Sequence, residues 1–202
     1  MQLDFSGLSS LEAYRWLAST VTPRPIAWVS TLSREGISNL APFSFFQVIS
    51  DDPPSLMINV GTRDNGVLKD TLRNVLDTGE LVVHLVSFEQ AQAMNASAAY
   101  LPHDVSEFEQ CAIASMPAER VKPPRVAGAA VAFECRLLEA QPFPRERPNC
   151  HLLFVEVLLA HIDDAVLNEQ GRIDAQRLDL VGRLGGSQYC RTHDLFSLQR
   201  PG

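Results

Sequence analysis

Residues 22–60, TPRPIAWVSTLSREGISNLAPFSFFQVISDDPPSLMINV, set the strand pattern of the chain. Pro23 and Pro25 fix their own backbone angle, lack an N–H, and bias the residues before them toward extended backbone. The chain therefore enters a strand at IAWVSTL, and Ser33-Arg34-Glu35-Gly36 reads as the turn that ends it. A second extended stretch runs from Ile37 to about Ile49, interrupted by Pro42. Asp51-Asp52-Pro53-Pro54 closes it before a strand at SLMINV. The reading is a three-strand opening.

On the N-terminal side, Ser9 and Glu12 have capping-box spacing, and Leu11, Tyr14, Leu17 and Ala18 recur at helical intervals, so a helix is expected near 9–19. On the C-terminal side, Asn65-Gly66 signals a turn, and a short helix is expected from about Asp70 to a stop near Gly79. ELVVHLVS reads as a strand. Ser87 and Gln90 repeat the capping-box spacing ahead of an Ala-rich stretch, which predicts a helix to about Ala99. Residues 101–127 read as irregular, with VKPPRVAG too poor in donors for a central strand. AAVAFECRLLEA and CHLLFVEVLLAHID are long strands, and PFPRERPN joins them as a hairpin.

Helices are few and do not alternate with strands, so a doubly wound parallel sheet is disfavoured. The pattern predicts a mainly β, mostly antiparallel barrel with added helices, in a single domain over residues 1–202. The polar tail from about 172 to 202, with Gly182, Gly185 and Gly186, reads as a docked arm.

A formal net charge of −7 argues against nucleic acid as a partner, so any anion site must be local. No run approaches the ~18 apolar residues of a membrane span. The N-terminus MQLDFSGLSS carries no export signal, and the cytoplasm is the expected compartment. Cys111, Cys135, Cys150 and Cys190 form no CxxC pair and read as reduced thiols, not as a zinc site.

Three clusters could carry chemistry. Arg24, Ser38, Asn39 and Ser44 fall among apolar residues, and buried polar groups need partners. Either they bond internally at a bulge or barrel corner, which the pattern alone favours, or Asn39, the Leu40 and Ala41 main chain and Ser44 face a planar ligand. Lys69-Asp70-Thr71 stands at a helix start, where free N–H groups, an ammonium and a hydroxyl could hold a phosphate. The plainer reading makes Asp70 an N-cap and Lys69 a solvated charge. VGRLGGSQY places Arg183 and Tyr189 around a glycine-rich turn that could approach a ligand or another subunit, or be an ordinary loop. His84, in a strand, reads as a hydrogen-bonded core residue. The other histidines show no partner at convincing spacing. Nothing resembles a hydrolase motif.

In order, SxxEAYRWL, the 22–54 stretch, KDTLRN, PHDVSEFE, VKPPRV with AFECRL, and VGRLGGSQY resemble the flavin reductase-like, FMN-binding split-barrel family, in particular the reductase components of two-component monooxygenases. The resemblance implies a Greek-key split barrel and a homodimer with FMN near the subunit interface. Asn39, Leu40, Ala41 and Ser44 match the family's flavin-contacting segment, Lys69 and Thr71 its phosphate-binding pair, and Arg24 the arginine of its PRP motif. Arg183 and Tyr189 fall in the tail that packs near the flavin. The implied chemistry is hydride transfer from NADH or NADPH to FMN, with a monooxygenase or other acceptor downstream. A non-catalytic FMN carrier is the alternative, and a haem protein ranks last because no histidine has an axial-ligand context.

Overall fold

The computed structural model describes residues 1–63 and 66–202. Asn65, half of the expected Asn65-Gly66 turn, lies outside the described residues. The first helix, α1 (Ser10–Thr20), begins at a complete capping box: the Glu12 amide donates to the Ser9 hydroxyl, and the Glu12 carboxylate takes the Ser9 amide. Four strands follow where the sequence reading has three: β1 (Ala27–Leu32), β2 (Ser38–Phe43), β3 (Phe46–Asp51) and β4 (Pro54–Gly61). Pro42 does not break the second stretch. It sits within β2 opposite Trp28, on an edge strand that can tolerate a missing donor, and the chain turns at Ser44-Phe45.

Next come α2 (Asp70–Thr78), β5 (Glu80–Leu85), α3 (Ala91–Ala96), α4 (Glu107–Gln110), the short pair β6 (Ser115–Met116) and β7 (Arg125–Val126), and the long hairpin β8 (Val131–Phe143) and β9 (Cys150–Ile162). The tail adds α5 (Ala175–Leu178), β10 (Val181–Arg183) and β11 (Tyr189–Arg191). Helix α2 stops at Gly79, whose φ of 72° closes a left-handed cap that side chains disfavour.

The main sheet has seven strands in the order β2-β1-β5-β8-β9-β4-β3, every pairing antiparallel. Its two edges, β2 and β3, are consecutive in the chain and joined only through Ser44-Phe45, so the sheet must roll until its edges meet. One core inside the roll takes Val29, Phe43, Phe46, Ile58, Leu81, Cys135 and Leu153, one or more residues from each of these strands, together with Leu72 and Val75 of α2. Because side chains alternate along a strand, the neighbours of the inward residues point outward. Trp28 and Leu40 thus enter a second core with Met94, Phe108, Val126 and Val181. The tail is more than a docked arm, because it supplies Val181 to this core and Leu178 to another buried cluster.

Two further expectations need correction. Ser87 does not cap a helix: its backbone bridges Leu180, the Phe88 amide donates to the Asp179 carbonyl, and Phe88–Gln90 tightens into a 3-10 turn ahead of α3, which ends at Ala96. His161, which lacks a partner at sequence level, lies across the β8–β9 pair within 2.5 Å of Glu134. His84 behaves as read. It is fully buried, with Nδ1 2.8 Å from the Trp28 carbonyl and Nε2 accepting from the Val126 amide.

The glycine-rich turn packs against the protein's own first helix. A methyl group on Gly185 would stand 2.5 Å from Ser19 Oγ and 3.2 Å from Ser19 Cα. Gly185→Ala is therefore expected to destabilise the fold by about 1–3 kcal/mol, the usual cost of overpacking against backbone. An unchanged denaturation midpoint would refute the contact.

Candidate functional site

The site is built on the junction of α2 with β1 and β2. Thr71 and Asn74 are one helical turn apart on the face of α2 that meets the sheet. Asn39 Nδ2 donates to Thr71 Oγ1 and Asn74 Nδ2 to Thr31 Oγ1, each at 3.0 Å and each buried. These two side-chain pairs fix where the first turn of α2 points.

That first turn opens on a cleft of about 330 Å³ lined by Asn39, Ala41, Phe43, Lys69, Thr71 and Tyr100, among others. Lys69, not Asp70, is the N-cap, and no side chain caps the helix. The N–H groups of the first turn thus lack the oxygen acceptor that Ser, Thr, Asp or Asn would supply. Asp70, the nearest carboxylate in sequence, is held by Arg63 at 2.7 Å and Arg73 at 3.0 Å. Among the described residues no ion pair claims Lys69; its ammonium stands 5.6 Å from the Phe43 ring. Burial first, and then the Arg63 guanidinium, hold the Lys69 ammonium below its ordinary pKa. A partly desolvated ammonium, with no ion pair among the described residues, therefore stands at the mouth of an uncapped helix. A phosphate dianion fits this donor set by charge and by hydrogen bonding.

A neighbouring cleft of about 640 Å³ shares Pro42, Phe43, Arg63 and Lys69 with the first and adds Tyr14, Ser44, Phe45 and Asn59. Arg24 stands behind it. Its guanidinium donates to the carbonyls of Ala18, Val21 and Leu184 and to Ser44 Oγ, and lies 5.6 Å from the Phe45 ring. Arg24 is thus a brace that holds α1, the Ser44-Phe45 corner and the tail together, with its donors directed at protein acceptors.

Of the residues singled out from sequence, the structure brings Asn39, Ala41, Lys69 and Thr71 to one cleft and Ser44 to the adjoining one. Leu40 turns its side chain into the second core, and its amide donates to Glu107 Oε2 at 2.8 Å. Arg183 and Tyr189 line a different cleft within the same protomer. Their link to Arg24 runs through the backbone, where Arg24 and Arg183 form a mutual bridge.

Sequence reasoning missed two residues. Glu107 lines the Lys69 cleft, and burial raises its carboxyl pKa against the opposing pull of the Leu40 amide. Its signal was the PHDVSEFE segment, whose Phe108 anchors α4 in the second core. Arg63 lines both clefts, lies 4.3 Å from the Tyr100 ring and donates to the Tyr100 hydroxyl.

Comparison with known proteins identifies the family and the fold. The family model described as "Flavin reductase like domain" matches residues 19–177. An uncharacterized protein of Aquifex aeolicus is 43% identical over 178 residues, covering 88% of this chain and 89% of its own. Among solved structures, nitrilotriacetate monooxygenase component B from Bacillus cereus superposes with a TM-score of 0.93 at 32% identity, covering 98% of each chain. The Pseudomonas fluorescens 2-nitrobenzoate 2-nitroreductase NbaA superposes at 0.89 with 31% identity, over 100% of this chain and 96% of that one. A Shewanella frigidimarina protein described as a flavin reductase with a split barrel domain shares the fold at 0.85. The rolled antiparallel sheet is thus a split barrel, and the chain belongs to the flavin reductase-like family.

Proposed function

We propose that the protein binds FMN in the two adjoining clefts and acts as an NAD(P)H-dependent flavin reductase. Family membership supports a flavin-related oxidoreductase function; the choice of FMN and of a nicotinamide reductant is our reading. The observation that carries it is the uncapped N-terminus of α2 with the Lys69 ammonium beside it, on a protein of net charge −7.

When bound, the flavin supplies the redox chemistry by accepting hydride from a reduced nicotinamide. The protein's part is to bind and to orient. Lys69, the first-turn amides of α2 and Arg63 hold the phosphate. Asn39 and Thr71, tied to each other, keep the helix start in register with β2. The Glu107 carboxyl, locked to the Leu40 amide, gives the cleft wall a fixed acceptor. Phe43, Phe45 and Tyr14 provide apolar surface for a flat ring, Tyr14 and Phe45 being 6.2 Å apart.

The same reading includes a homodimer. Leu11, Tyr14, Trp16 and Leu17 of α1 and Val48 and Ile49 of β3 are all more than a third exposed. These exposed apolar side chains are what a second copy would cover. Sedimentation at micromolar concentration should show a dimer, and a monomer alone would contradict it. The resemblance to a monooxygenase component makes a monooxygenase the acceptor we propose.

The purified protein should show a flavin absorbance band with added FMN that bleaches anaerobically with NADH or NADPH. A band that does not bleach means a carrier, and no band rejects the flavin site. Lys69→Ala should weaken FMN binding by about 1.5–3 kcal/mol, the range for a hydrogen bond to a charged group. The same dissociation constant in both proteins at low salt would reject the Lys69 assignment.

A further inference from the structure

A cleft of about 680 Å³ lies between α3 and the β10–β11 hairpin, twice the size of the one beside Lys69 and sharing no lining residue with it. Its volume is within the range of about 300–1,000 Å³ typical of small-molecule sites. Two arginines line it, each laid on an aromatic ring. The Arg191 guanidinium is 4.0 Å from the Phe88 centroid and donates twice to the Asp179 carboxylate, which neutralises it. The Arg183 guanidinium is 4.5 Å from the Tyr189 centroid and donates to the Tyr189 hydroxyl and the Gly186 carbonyl. Among the described residues no carboxylate pairs with Arg183, and the buried Arg24 guanidinium behind it adds like charge.

Arg183 is thus a fixed cation without a counter-charge among the described residues, at the wall of a cleft also lined by the Phe88 and Tyr189 rings, the Asn95 and Gln92 amides and the Ser187 hydroxyl. That set suits a ligand with one flat aromatic part and one anionic part. The two clefts flank one stretch of chain: Asn95 lines this one, and the residues from Ser97 to Leu101 line the Lys69 cleft.

We propose that this cleft takes the adenine nucleotide end of a dinucleotide, with a phosphate on Arg183 and the base against the Phe88 and Tyr189 rings. The inference rests on the reading that a nicotinamide dinucleotide is the reductant. It assigns Arg183 and Tyr189 to that co-substrate and leaves the flavin phosphate to Lys69. Flavin dinucleotides carry the same adenylate end, so the test must separate the two sources.

Cys190 lines this cleft and is partly exposed, whereas Cys135 and Cys150 are buried. Replacing the other partly exposed thiol, as Cys111→Ser, leaves Cys190 as the reporter. In that variant ADP and NADH are expected to slow alkylation of Cys190 by N-ethylmaleimide at least fivefold, and nicotinamide mononucleotide is not. Adding Arg183→Met should abolish the protection while leaving the FMN dissociation constant unchanged; adding Lys69→Ala should do the reverse. Equal alkylation with and without saturating ADP and NADH overturns the proposal. Protection by ADP and FAD but not by NADH overturns the nicotinamide source, and FMN weakened as much by Arg183→Met as by Lys69→Ala returns Arg183 to the flavin. Failure of the reductase reading would be seen separately, as bound flavin that NADH does not bleach beside intact ADP protection.

Discussion

Glu134→Ala is expected to destabilise the protein by about 3–5 kcal/mol, the range for removing one partner of a buried charged network. Glu134 stands in β8 with no exposed surface. Its two oxygens accept from the amides of Glu119, Arg120 and Val121 and meet His161 Nε2. The carboxylate therefore holds a strandless segment against the sheet, and its loss orphans three amides at once. Burial pushes its pKa up, but the Glu119 amide, His161 and the Arg120 amide outweigh burial and hold it below the ordinary value of 4.5. A depressed carboxyl pKa gives stability that is fully present above the unfolded value and is lost as pH falls through the lower folded one. Urea unfolding at neutral pH measures the effect. A loss under about 1 kcal/mol, within the reach of an ordinary surface change, would mean that the amides find water instead.

How far the sequence could be read depended on the range of the interaction. Local signals translated directly: the Ser9 and Glu12 box started α1, Gly79 ended α2, and the β8–β9 hairpin formed where two long apolar runs met a proline-rich link. The helix start at Lys69-Asp70-Thr71 was legible too, although the N-cap is Lys69 and not Asp70. What the sequence hid was set by register between distant strands. Glu134 meets His161 across 27 residues, and Asn74 meets Thr31 across 43. Glu107 reaches the Leu40 amide across 67, and no periodicity encodes such a meeting. Ser87 misled for the same reason. Its spacing to Gln90 suits a cap, yet a bridge to Leu180 in the tail claims its backbone. Pro42 reads as an interruption until β2 is known to be an edge strand. Nor can a motif say that Arg183 and Lys69 line separate clefts, because that follows from where the tail docks on α3.

Acidification from neutral pH should loosen the wall of the Lys69 cleft through His84. This residue lies in the outer core, where Val126 N donates to Nε2 and Nδ1–H donates to the Trp28 carbonyl, so both nitrogens are engaged by the neutral ring. Trp28 in turn donates through Nε1 to Ser97 Oγ at 2.9 Å, and Ser97 lines the cleft. Burial drives the His84 pKa down from 6.5 to about 4 despite the Trp28 carbonyl, with Arg125 and His161 adding to the fall. The unfolded chain takes up a proton below 6.5 while the folded chain does not, so stability rises with pH across this window and is lost as pH falls from 6.5 toward 4. At about 1.4 kcal/mol per pKa unit, His84 accounts for a loss of about 3 kcal/mol. Trp16→Phe leaves Trp28 as the sole tryptophan. Its emission should shift to the red at a lower urea concentration as pH falls through this window. In His84→Gln, which keeps a donor and an acceptor but cannot titrate there, the pH slope should flatten. Equal slopes in the two proteins would show that acid acts elsewhere, and would remove His84 from the support of the site.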